Sequence, residues 1–220
     1  MSAHWAAIAA IVAILVPANA NAWLRSESDH GAKLKWTTSD IYWTIADKRI
    51  PDRLVEAAAA TWMQPGCSRL QLQRATAGQV ATIVVNVASE PWPHASDEAA
   101  WTSVVADADS GVIRQACIAL HPRYWLDPAA ALNRQALLVH ELGHALGLAH
   151  TIDRSTVMYG GLGTQVTLSA DEVAAMCALF AHRAVPEPAP HNPLGAGLAA
   201  VVLAVAVGLA GRSRRLRRFN

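Results

Sequence analysis

The residues with the densest chemistry lie between His140 and His150, in the run HELGHALGLAH. At 3.6 residues per turn, positions four apart are offset by roughly 40° and share one helix face, so His140 and His144 can reach the same metal ion. His150 falls six residues after His144, on roughly the opposite side of an ideal helix, and joins them only if the helix stops and the chain turns back. Gly147 marks the place for that turn, because glycine tolerates the left-handed conformation that ends many helices. Three neutral imidazole nitrogens suit zinc and leave a fourth position for water, the arrangement of a catalytic rather than a structural site. Glu141 adjoins a ligand on a different bearing, placed to take a proton from that water as general base and return it to a leaving amine.

Eight residues after the third histidine comes Met158, in STVMYG. The spacing H-E-x-x-H-x-x-G-x-x-H followed by that methionine resembles the metzincin zinc peptidases and their Met-turn. A buried amphipathic helix with incidental histidines would have to explain every one of these fixed spacings separately.

Elements able to hold such a site can be read on both sides of it. Asp40 to Ile45 is aromatic and β-branched, as a strand would be. Pro51 and Asp52 open a helix through about Met63, with Leu54, Val55, Ala58 and Trp62 on one side, and Pro65-Gly66 ends it. Further strands are expected at Arg69 to Gln73, Ala81 to Val87, Trp101 to Ala106 and Val112 to Leu120, the second apolar enough for a central position. Asp107 to Gly111 reads as a hairpin turn; its D-x-D-x-G lacks the rest of a calcium-loop pattern. The motif helix is expected to start near Leu132. A last helix follows Leu168, with Ser169 as N-cap, Glu172 closing a capping box, and Val173, Met176, Cys177 and Phe180 as its core stripe. Arg25 to Lys35 is polar and reads as an exposed lead-in. Strands first, with one early helix, and two helices late make an α+β domain.

The likeness narrows to the matrixin branch on Lys35-Trp36 before Ile41-Tyr42, the run HTIDRSTVMYG, and LSADEVAAMCALF, and it spans most of Trp36 to Phe180. The resemblance implies a twisted, mostly parallel sheet with an antiparallel edge strand roofing a cleft, an active-site helix, a Met-turn and a C-terminal helix. It implies His140, His144 and His150 as ligands of one catalytic Zn2+, Glu141 as general base and Met158 as the Met-turn residue. It further implies a polypeptide substrate bound extended along Trp101 to Ala106, with Tyr159 to Thr164 bordering the pocket beside the scissile bond. Thr151 stands where matrixins usually carry serine. Tyr159 directly follows the methionine, so it is not assigned as a metal ligand in the astacin manner. No room is visible for an inhibitory propeptide with a cysteine switch. The family's structural Ca2+ and second zinc remain unassigned here, although His94 and His121 are available.

The formal net charge is +1, but 13 basic residues face 16 acidic ones between Trp23 and Val185, which argues against a nucleic-acid-binding surface. The remaining basic residues are Arg212, Arg214, Arg215, Arg217 and Arg218. They follow a stretch from Asn192 to Gly211 without a charged residue, which is about the length of a bilayer core. The positive-inside rule places these arginines in the cytoplasm and the preceding domain outside. Val185-Pro186-Glu187-Pro188, the apolar span and the arginine cluster together resemble bacterial PEP-CTERM sorting signals, whose tail is cut by a sorting peptidase; a plain C-terminal anchor is the alternative. At the other end, the apolar run Trp5 to Pro17 and an A-x-A site ending at Ala20 or Ala22 read as a secretory signal peptide, with an uncleaved anchor as the alternative.

The expected organisation is therefore a signal peptide over 1–22, a peptidase domain over 23–185, and a spacer, membrane segment and basic tail over 186–220. Export permits disulfides, and among three cysteines Cys67 with Cys117 is the preferred pair, leaving Cys177 buried and free. The expected function is an exported zinc endopeptidase. The rival is a non-catalytic, zinc-stabilised surface binding domain.

Overall fold

The order of strands along the sheet is not their order in the chain. In the computed structural model, which describes residues 23–161 and 163–181, β1 (Asp40–Ile45), β2 (Gln71–Arg74), β3 (Ile83–Val87), β4 (Ala100–Ala106) and β5 (Ile113–Leu120) form one sheet in the order β2-β1-β3-β5-β4. The pairs β1–β2, β1–β3 and β3–β5 are parallel, whereas β4 runs antiparallel to β5 at the edge. The fold is thus α+β with a mostly parallel sheet and an antiparallel edge strand. The segments expected to carry the signal, spacer and tail lie outside the described residues.

Alternation explains which face of the sheet is covered. Ile83, Val85 and Val87 of β3 are buried while Val84 and Asn86 between them are only partly so, the period-2 pattern of a sheet packed on one side. That side receives α1 (Asp52–Met63) and α3 (Arg134–Ala145), which pack against each other and against the sheet. Trp62 of α1 is fully buried, and its indole Nε1 donates to the Val139 carbonyl of α3 at 2.8 Å. A buried indole N–H needs such a partner, so this bond fixes how α1 seats on the motif helix.

A short helix, α2 (Pro122–Leu126), precedes α3 and was not expected. Pro122 suits a first helical position, and the His121 ring accepts from the Arg123 N–H at 3.2 Å as N-cap. The loop between β3 and β4 is held by stacking: Trp92 lies on His121 with ring centroids 4.6 Å apart, and His94 on Trp101 at 4.3 Å. The Asp107–Gly111 joint is a hairpin turn in which the Asp107 carboxylate accepts from the Ser110 N–H and hydroxyl at 2.8 and 2.7 Å. Its donors come from its own turn, whereas the Asp109 carboxylate faces the His30 ring at 2.8 Å.

One expectation is corrected. The disulfide joins Cys67 to Cys177, with Cα atoms 5.2 Å apart, and Cys117 is free. The reason is the path of the chain after α1. Ser68 pairs with Ala181, and the Arg69 N–H donates to the Phe180 carbonyl at 2.8 Å. This brings Cys67 beside the end of α4 (Ala170–Leu179). Cys117 sits mid-strand between β3 and β4, opposite Val84 and Ser103. The N-terminal lead-in is largely exposed, as expected, and it also pairs with the loop after α3. Arg25 pairs antiparallel with Leu148, the Ser26 N–H donates to the Gly147 carbonyl at 2.9 Å, and the Ala149 N–H donates to the Leu24 carbonyl at 2.8 Å. Its polar groups satisfy backbone groups of the loop that carries His150.

Candidate metal centre

Helix α3 begins at an Asn133 N-cap, whose side chain accepts from the Ala136 N–H at 3.0 Å, and ends at Leu146. Gly147 follows at φ +99, with its N–H donating to the His144 carbonyl at 2.9 Å and the Leu148 N–H donating to the Gly143 carbonyl at 3.0 Å. That pair of bonds is a Schellman motif. A Cβ at Gly147 would also lie 3.1 Å from the Leu34 carbonyl oxygen, so both dihedral and space require glycine there. The turn expected at Gly147 is present, and it returns the chain towards the helix.

As a result the three imidazoles converge. The Nε2 atoms of His140, His144 and His150 lie 3.1, 3.0 and 3.2 Å from one another. The Nδ1 of His140 faces the Val157 carbonyl at 2.7 Å, and that of His144 faces the Leu148 carbonyl at 2.8 Å. A carbonyl only accepts, so each Nδ1 carries the proton and each Nε2 turns a lone pair to the common point. Lone pairs so close repel unless a cation lies between them. Tetrahedral ligands at zinc–nitrogen distances lie about 3.3 Å apart, so the donor set and its spacing fit zinc. Among the described residues this is the group of three or more ligating side chains able to hold a metal.

Electrostatics keep the ligands neutral. Burial pushes the His140 pKa down to about 4, assisted by His150 and opposed by the bond to Val157. Burial, with His140 as the next cause, pushes His144 down to about 3. Burial also lowers His150. A metal binds only the deprotonated imidazole, so these shifts favour occupancy.

Glu141 is buried next to the ligands, 5 % exposed. Its carboxyl is raised to about 7, first by burial and further by the charge of Glu98, with Thr102 pulling the other way. The Thr102 hydroxyl on β4 donates to Glu141 Oε2 at 2.6 Å. A carboxyl poised near neutrality is suited to both accepting and returning a proton.

Met158 is 1 % exposed and packs against Gly143, between the two helical histidines in sequence. A Cβ on Gly143 would sit 2.3 Å from Met158 Sδ and 2.8 Å from Trp62 Cζ2. The turn bearing Met158 closes on the third histidine, because the Thr151 N–H donates to the Met158 carbonyl at 2.8 Å and Gly160 lies against the His150 ring. Sequence reasoning missed Thr102, Gly143 and Glu98. Glu172 was legible as a capping residue but not as the acceptor of the Met158 N–H at 3.2 Å. Thr102 carries no local signal, since its contact depends on which strand lies over α3.

A five-stranded sheet with its antiparallel edge strand over a three-histidine helix and turn is the framework of a zinc metallopeptidase. The Matrixin peptidase family model matches residues 33–181, and the chain belongs to that family. No curated protein matches it.

Proposed function

We propose that the protein is an exported zinc endopeptidase in which Glu141 is the general base. The observation that supports this most is the convergence of three Nε2 atoms within 3.2 Å beside a buried carboxyl raised to about 7. His140, His144 and His150 would hold zinc, and the bound metal would supply the Lewis acidity that acidifies a water and polarises a carbonyl. Glu141 takes the proton from the attacking water and delivers it to the departing amine, while the Thr102 hydroxyl holds its Oε2 in place. On β4, the edge away from β5 has no strand partner among the described residues, and a substrate in extended form would add there by backbone pairing. Export and membrane attachment are proposed from the two chain ends. Among the described residues no helix is long and apolar enough to cross a membrane.

Removing zinc with a chelator should abolish cleavage of a peptide library, and adding zinc back should restore it. Cleavage that survives metal removal contradicts the reading. For the tail, a C-terminal tag should be protease-protected in intact spheroplasts before any sorting cleavage; digestion of the tag there would overturn the topology.

A further inference from the structure

One acidic side chain near the centre has no partner among the described residues. Glu98 lies just before β4, in a segment that continues the ladder: the His121 N–H donates to the Ala99 carbonyl at 2.9 Å, next to the Ala100–Leu120 pair. Glu98 is four residues before Thr102 and shares its parity, and Thr102 touches Glu141. The carboxylate is half-buried, and its Oε2 is shielded from solvent with no hydrogen-bond donor. None of the ion pairs among the described residues includes it. Its charge nevertheless reaches the centre, acting on both Glu141 and His150.

An acceptor left unsatisfied and beside a second carboxyl is costly, and such a group is kept where something else brings the donor. Among the described residues no cationic side chain pairs with it, and a bound substrate can supply one. An extended substrate paired with β4 passes the strand's first residues, and its side chains at that end come within reach of Glu98.

We infer that Glu98 is a specificity-determining residue that selects polypeptides carrying a lysine or arginine near the scissile bond, on the side where β4 begins. This rests on the peptidase reading. A half-buried carboxylate with a shielded, unpaired oxygen favours a cationic side chain over a neutral one of the same length by ~10-fold or more, the lower end of what a hydrogen bond to a charged group contributes.

The test uses the zinc-loaded protein and Glu98→Gln, with peptides that place lysine or acetyl-lysine at each of the positions flanking the cleaved bond. Lysine should raise kcat/KM by ~10-fold or more at one position. In Glu98→Gln that ratio should collapse towards one, while zinc content and Tm stay close to those of the parent. A flat profile, or a lysine preference that survives in Glu98→Gln, overturns the proposal. Affinity of the same peptides for Glu141→Gln separates this from the peptidase reading. Lysine peptides that bind that protein more tightly, in a Glu98-dependent way, support the role of Glu98 even if the parent cleaves nothing. Equal affinities would sink it whatever the turnover.

Discussion

Glu172 and Met158 are joined by a hydrogen bond from the Met158 N–H to Glu172 Oε1 at 3.2 Å, while Oε2 of the same carboxylate accepts from the Ser169 N–H at 2.7 Å. One buried side chain thereby serves the turn beside the histidines and the N-terminus of α4. Glu172→Gln keeps the size but turns one acceptor into a donor facing an N–H. It should cost about 1–3 kcal/mol, the range for leaving a buried polar group unsatisfied. Because the Val157 carbonyl that orients His140 adjoins Met158, zinc affinity should fall as well. Urea titration and competition for zinc check both; unchanged zinc affinity would show that the turn does not depend on Glu172.

Gly143 is required by packing rather than by backbone conformation. Gly143→Ala puts a methyl into Met158 and Trp62, and overpacking of this kind costs about 1–3 kcal/mol. Combining it with Met158→Ala should recover part of the loss, since the second change opens space for the first. Strictly additive losses in the double variant would contradict the contact.

The disulfide makes a redox prediction. Peptide mapping under non-reducing conditions should find Cys67 linked to Cys177, and Cys67→Ser should lower stability by about 2–4 kcal/mol. Cys117→Ser should change little. Burial pushes the Cys117 thiol up, so it should react slowly with thiol reagents. A Cys67–Cys117 link would refute the path drawn for the chain after α1.

The pH dependence of the metal-free protein follows from the shifted groups. His140 and His144 are depressed to about 4 and about 3 from 6.5, so the unfolded chain takes up their protons first and stability is lost as pH falls below 6.5. Glu141 is raised from 4.5 to about 7. Its protonated form favours the fold, so that contribution is complete below 4.5 and is lost as pH rises through about 7. Metal-free Glu141→Gln should therefore exceed the parent in stability at pH 8, by up to a few kcal/mol, and the gap should close as pH falls towards 4.5. Urea midpoints across that range measure it; a gap that widens on acidification has the wrong sign.

Thr102→Val removes the hydroxyl that stabilises the ionised form of Glu141. The acid limb of the pH–rate profile should move to higher pH and zinc content should not change. A shifted limb distinguishes orientation of Glu141 from a general loss of fold.

What could be read from the chain, and what could not, divides by the range of the interaction. The ligand spacing, the Gly147 turn and the Ser169–Glu172 capping box are local, and each is encoded within a few residues. The β-strands were legible because their apolar runs are bounded by proline, glycine and aspartate. The Cys67–Cys177 link depends on the end of α4 coming back to the residues after α1, a tertiary arrangement that no local pattern carries. The same is true of Thr102 over Glu141 and of the N-terminal segment bracing Leu148. Helix α2 is short, and its strongest signal, Pro122, resembles the prolines of a loop.

The most direct measurement compares the parent with Glu141→Gln at equal zinc loading. Both should bind one zinc ion, because the three histidines hold it without Glu141, and peptide cleavage should fall by ~100-fold or more in the variant, as expected for loss of a general base. Equal cleavage by both proteins would contradict the assignment of Glu141, and zinc binding without cleavage by either would leave a metal-stabilised binding domain in place of a peptidase.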